Sequence, residues 1–131
     1  MPIYHEITGN KYVIMQGDGL VNGSEIIKAN ALLYSEIKDK NVAQFQLWDL
    51  TALTNLSMSS REHQEAAQQD KNALSFYSHI AVAMAGKTEQ VYGVARMYAG
   101  YAPDGVRTMV FRSRTEAKKW ILEQIKHFDR R

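Results

Sequence analysis

The sequence contains no cysteine and only two prolines among its 131 residues. Without thiols there is no disulfide framework, no thiolate nucleophile, and no cysteine-held zinc or iron–sulfur cluster. No apolar run approaches the roughly 20 residues that a membrane-spanning helix needs. No basic start followed by an apolar stretch marks a secretory leader. The expected location is therefore the cytoplasm, with no transmembrane segment. A net excess of one charge is also nearly missing: the formal charge is only +2. That is too small to point to nucleic acid. No zinc-finger, GXXG or RNP-like pattern adds to it, so a nucleic-acid partner is unlikely on the sequence.

What is present is ordinary globular material, with 45% hydrophobic and 23% charged residues. The length fits a single domain over residues 1–131 with one sizeable core. The near-neutral total hides an asymmetry. Residues 1–65 hold five basic and eight acidic side chains, and residues 66–131 hold eleven and six. The basic excess includes Arg107, Arg112, Arg114, Lys118, Lys119 and Lys126. It reads as a solvated strand end and helix face, with an anionic partner as the alternative.

Hydrophobic periodicity and caps give the element order. Residues 1–7 and 11–17 read as two strands of a hairpin, broken by Gly17-Asp18-Gly19. Asn22 and Glu25 frame a helix start, and Ile26, Ala29, Leu33 and Ile37 follow at helical spacing. Lys38-Asp39-Lys40-Asn41 ends that helix, and residues 42–50 form the next strand. Ser59 and Glu62 make a capping box for a polar helix whose inward face is only Ala66 and Ala67. A densely apolar strand lies near residues 77–84. A helix over 88–98 buries Val91, Val94, Ala95 and Tyr98. Residues 106–111 form the last strand, and Ser113 with Glu116 caps a final helix carrying Ala117, Ile121, Ile125 and Phe128. The order β-β-α-β-α-β-α-β-α implies an α/β fold with a mixed, mostly parallel sheet of about five strands and packed helices.

Catalytic motifs are scarce. Ala85-Gly86-Lys87-Thr88 ends like a phosphate loop, but Ala81 stands where its first glycine is required. His5, His63, His79 and His127 form no HExxH or HxxxH pair, so no metal site is expected. Asp49, at a strand end, reads as fixing the following turn, and no nucleophile elbow occurs. No cofactor motif is present, and the chain reads as a non-enzyme. Two surfaces stand out instead. The serine-rich run from Thr54 to Ser60, following a strand, offers Ser57, Ser59, Ser60 and Arg61 at a helix start. A phosphate there would meet free helix N–H groups, and Ser57 or Ser60 is the better acceptor because Ser59 is committed as a cap. Tyr92, Met97, Tyr98 and Tyr101 could line an apolar crevice or a dimer contact, or pack against the sheet. Trp48 and Trp120 read as structural.

The stretches FQLWDLTALTNLSMSSREH (45–63), IAVAM (80–84), VYGVARMYAG (91–100) and VFRSRTEAKKWI (110–121) resemble the SpoIIAA-like group. That group includes STAS domains and small STAS/SEC14-like bacterial proteins, and the small bacterial branch is the nearest likeness. The resemblance implies the mixed five-stranded sheet already inferred. It also implies a regulatory or protein-interaction role with a phosphorylatable serine at the start of the helix after a central strand, for which Ser59 is the positional match. The family's Asp-Ser-Ser-Gly setting is not kept, since Ser57 or Met58 takes the acidic place and Arg61 the glycine. The SEC14-like likeness implies an alternative, a carrier or sensor of a small apolar or lipid-like ligand held between helices and sheet. A protein partner or self-association is the expected interaction.

Overall fold

The computed structural model describes residues 3–8, 11–37 and 42–129, apart from a few side chains near the breaks. The sequence Ile7–Asn10 reads as the hairpin turn, but Ile7 and Thr8 belong to the first strand; residues 9–10, the helix end at 38–41 and the side chains of His5 and Ile37 lie outside the described part. A five-stranded sheet runs in the order β1 (Ile3–Thr8), β2 (Tyr12–Gly17), β4 (Phe45–Asp49), β6 (Ile80–Ala85), β7 (Val106–Phe111). β1 pairs antiparallel with β2, and the other pairs are parallel. The helices are α1 (Gly23–Ile37), α2 (Ser60–Ala73), α3 (Glu89–Tyr101) and α4 (Arg114–Asp129).

The sheet is buried on both faces, as parallel sheets require. α1, α2 and α3 enclose one core with Val13, Met15, Trp48, Val82 and Met84. α4 covers the other face, where Ala117, Ile121 and Ile125 meet Ile14, Phe45, Leu47 and Ala83. The alternation along β4 decides this, because Phe45 and Leu47 point to α4 while Gln46 and Trp48 point to the opposite layer. β6 is all small or β-branched apolar residues plus Met84, and every one of its residues is buried.

Four boundaries differ from the periodicity reading. Residues 42–44 form a 3-10 turn, so the strand begins at Phe45. The sixth strand starts at Ile80, not at residue 77. Residues 53–57, given no element of their own in the sequence order, form β5 (Leu53–Ser57), which pairs in parallel with β3 (Gly19–Asn22) as a separate two-stranded sheet. Its polar sequence hid it, because only Leu53 and Leu56 turn inward. The outer edge of β5 is closed by Gln90, whose side-chain amide accepts from the Leu56 N–H at 2.9 Å and donates to its carbonyl. Finally, α2 buries more than its two alanines. His63, Asp70 and Ala73 join Ala66 and Ala67 on its buried face.

Candidate functional site

β3 and β5 each run straight into a helix. Asn22 pairs with Ser57, so the starts of α1 and α2 lie side by side. Each start is closed by a capping box with a glutamate as the reciprocal partner. Asn22 Oδ1 accepts from the Glu25 N–H at 2.9 Å, and Glu25 returns the bond to the Asn22 N–H at 3.0 Å. Ser59 Oγ accepts from the Glu62 N–H at 3.2 Å, and Glu62 accepts from the Ser59 N–H at 2.9 Å. The Glu62 carboxylate also crosses to α1 and lies against Gly23, filling the space a β-carbon would need. The two helix starts thus approach closely at a glycine.

Ser57, Ser59, Ser60 and Arg61 are all exposed on this corner, while Met58 turns inward. The structure brings these four together. The Ser59 hydroxyl is committed to its cap, and among the described residues the hydroxyls of Ser57 and Ser60 are free. Carboxylates already complement both helix dipoles here. A phosphate added at this corner would meet Glu25 and Glu62 as well as the helix N–H groups.

Behind the corner, between the sheet and α1–α3, lies a cavity of about 50 Å³. Trp48, Val82 and Met84 form its floor, and Ile26, Leu56, Met58, Ala66, Val94 and Ala95 its apolar walls. One end is polar, lined by Asn30, Gln46, Asp70 and Tyr98. Asp70 organises that end. Its Oδ1 accepts from Tyr34 Oη at 2.6 Å and from Asn30 Nδ2 at 3.1 Å, and its Oδ2 accepts from Tyr98 Oη. Gln46 continues the network, donating to Tyr34 Oη at 2.9 Å and to the Ala43 carbonyl at 2.8 Å, and accepting from Trp48 Nε1 at 2.9 Å. Burial pushes the Asp70 carboxyl up to about 6, with the bonds from Tyr34 and Asn30 pulling the other way. Burial, then the charge of Asp70, holds the Tyr34 hydroxyl well above its ordinary value, so it stays a donor.

One turn before Ala66, His63 is fully buried with neither ring nitrogen hydrogen-bonded. Its imidazole stacks on Tyr101, with centroids 5.5 Å apart and planes 6° from parallel. Burial lowers its pKa, against the raising effect of Glu62. Of the four residues proposed for a crevice, Tyr98 alone lines the cavity. Tyr101 covers His63, and Tyr92 lies under the Arg112 guanidinium at 3.7 Å from the ring centroid. Met97 is on the surface. Asp49 fixes its turn as expected, accepting from Thr51 N at 3.0 Å and Oγ1 at 2.6 Å, and it also meets Arg114 at 3.3 Å. Thr88 of the rejected phosphate loop caps α3. Asn30, Tyr34, Gln46 and Asp70 were missed by the sequence reading. His63, Ala66, Ala67 and Asp70 nevertheless share one helical stripe, and a carboxylate on that stripe was the available signal.

Among the described residues, no group of three or more histidines and carboxylates converges to hold a metal. No described helix is long and apolar enough to cross a membrane. No protein-family model and no curated protein matches the chain. A solved structure does. It is the crystal structure of an uncharacterized protein from the DUF3478 family, with a SpoIIAA-like fold, from Shewanella loihica PV-4. The two share 21% identity over 91% of each chain, with a TM-score of 0.51. The fold is SpoIIAA-like. Within this SpoIIAA-like sheet the antiparallel strand is the edge strand β1, and the corner and the cavity both lie on the layer formed by α1, α2 and α3.

Proposed function

We propose that this chain is a non-catalytic regulatory or protein-interaction module whose partner surface is the corner formed by Ser57, Ser59, Ser60 and Arg61. The observation that carries this reading is the exposed cluster of Ser57, Ser59, Ser60 and Arg61 beside two adjoining, capped helix starts. The two capping boxes order the backbone beneath those side chains, which reduces the ordering cost of docking. The ionisable groups nearby support a structural role. Asp70 already accepts from Asn30, Tyr34 and Tyr98, and among the described residues His63 has no hydrogen-bonding partner with which to exchange a proton. Ser57 and Ser60 are the hydroxyls open to phosphorylation. The test is a pull-down from native lysate with wild type and a Ser57→Ala/Ser60→Ala/Arg61→Ala variant. Partners lost from the variant support the corner, and an unchanged partner set sinks it.

A second reading has its own observation, the cavity with apolar walls and one polar end. It favours a carrier or sensor of a small, largely apolar ligand whose polar group meets Asp70, Asn30 or Gln46. Native mass spectrometry after gentle purification tests it. A protein that stays ligand-free in the presence of small apolar alcohols and amines removes this reading.

A further inference from the structure

β7 ends the five-stranded sheet, and no strand covers its outer side among the described residues. The carbonyls of Gly105 and Phe111 accept from the Ile80 and Gly86 N–H groups of the β6 side. In a parallel ladder alternate residues serve one neighbour, so the odd-numbered residues of β7 bond inward. Thr108 and Val110 turn their N–H and C=O groups outward, and no backbone partner for them is found among the described residues. The side chains alternate as well. Phe111 packs toward α4 beside Trp120, so Arg107 and Met109 share that face. Arg107 is exposed and Met109 is 48% exposed.

Two adjoining grooves, which share Arg107, Gln124 and His127, border this edge. One, of about 410 Å³, is lined by Arg107, Glu123, Gln124, Lys126 and His127. The other, of about 470 Å³, runs past Ala99, Ala102, Pro103 and Thr108 toward the end of α4. Thr108 Oγ1 is buried there without a hydrogen-bond partner. Arg107 and Lys126 have no ion-pair partner among the described residues, so the first groove is positive despite Glu123.

We propose that the open edge of β7 accepts an extended acidic segment of a partner protein as an added strand. Backbone pairing with Thr108 and Val110 would supply affinity, and alternate side chains would supply choice. Carboxylates would meet Arg107 and Lys126, and an apolar residue between them would cover Met109. A second copy of this chain is the poorer occupant. A symmetric β7–β7 pairing would bring the positive groove against its own copy, which opposes association.

Titration with a labelled peptide of about eight residues alternating glutamate and valine, a usual strand length, tests this. The comparison peptides replace glutamate by lysine, or N-methylate alternate backbone nitrogens. The acidic peptide is expected to bind and both comparison peptides to fail. Arg107→Glu/Lys126→Glu, two exposed changes, should weaken binding by about tenfold or more. Thr108→Pro removes an outward N–H, which an edge strand tolerates, and should weaken it as well. The corner variant at Ser57, Ser60 and Arg61 should bind the peptide unchanged, which separates this site from the corner. The proposal is overturned if the acidic peptide does not bind, if the N-methylated peptide binds equally well, or if a short oligonucleotide displaces it from the edge.

Discussion

Tyr34 on α1 donates a 2.6 Å hydrogen bond to Asp70 on α2, and Tyr98 on α3 donates to the other oxygen of the same carboxylate. One buried group therefore ties three helices together over the sheet, and its protonation state is coupled to folding. Its pKa is about 6 in the folded chain against an ordinary 3.8. The folded chain takes up this proton at higher pH than the unfolded chain. The resulting stability is fully present below the ordinary value and is lost as pH rises through about 6. A two-unit shift corresponds to roughly 3 kcal/mol. Asp70→Asn keeps the shape without the charge. It should gain stability relative to wild type at neutral pH and lose that advantage near pH 4, where wild type is itself neutral. Urea unfolding at both pH values checks this, and a difference that does not change with pH refutes the coupling.

His63 works in the opposite sense. Burial lowers its pKa from 6.5, so the unfolded chain binds the proton first and stability is lost as pH falls below that value. His63→Phe removes two buried nitrogens that have no partners and keeps a ring for Tyr101 to stack on. It should stabilise the protein by about 1 kcal/mol at neutral pH, and by more in acid. Thermal melts of wild type and variant at neutral and mildly acidic pH measure both parts.

The contrast between these two residues shows what was legible in the sequence. The stripes of α1, α3 and α4 follow 3.6-residue spacing, and the capping residues Asn22, Ser59 and Ser113 mark three helix starts. The antiparallel edge and parallel core follow from the alternation of elements. β5 was hidden because a strand with only Leu53 and Leu56 inward carries too little hydrophobic signal. The buried polar network was hidden because Asn30, Tyr34, Gln46 and Asp70 come from three separate elements, and only tertiary packing makes them neighbours. The corner was legible, since Ser57 through Arg61 are contiguous and the capping box is local. The close approach of Glu62 to α1 was not, because it depends on the missing side chain of Gly23.

That approach gives a specific expectation. Gly23→Ala places a methyl group where the Glu62 carboxylate lies, so Glu62 must leave its position. Losing its half of the capping box should cost about 1 kcal/mol, partly offset by the better helix propensity of alanine. Glu62→Ala should cost a similar amount, and the double variant should be no worse than Glu62→Ala alone. A denaturant series over the four proteins gives the coupling, and strictly additive losses would show that the two residues act separately.

The cavity makes the last prediction. Val82 lies on its floor and is 3% exposed, on a central strand where a β-branched side chain is favoured. Val82→Ile adds one methylene into about 50 Å³ of space without changing the strand's character. If that space is empty in the folded protein, the methylene should stabilise it by up to about 0.8 kcal/mol. If the space instead serves a ligand, the same change should lower ligand occupancy in native mass spectra while the corner surface stays intact. A protein that is destabilised by Val82→Ile, with no change in any bound species, has a floor that is already packed, and the carrier reading then loses its support.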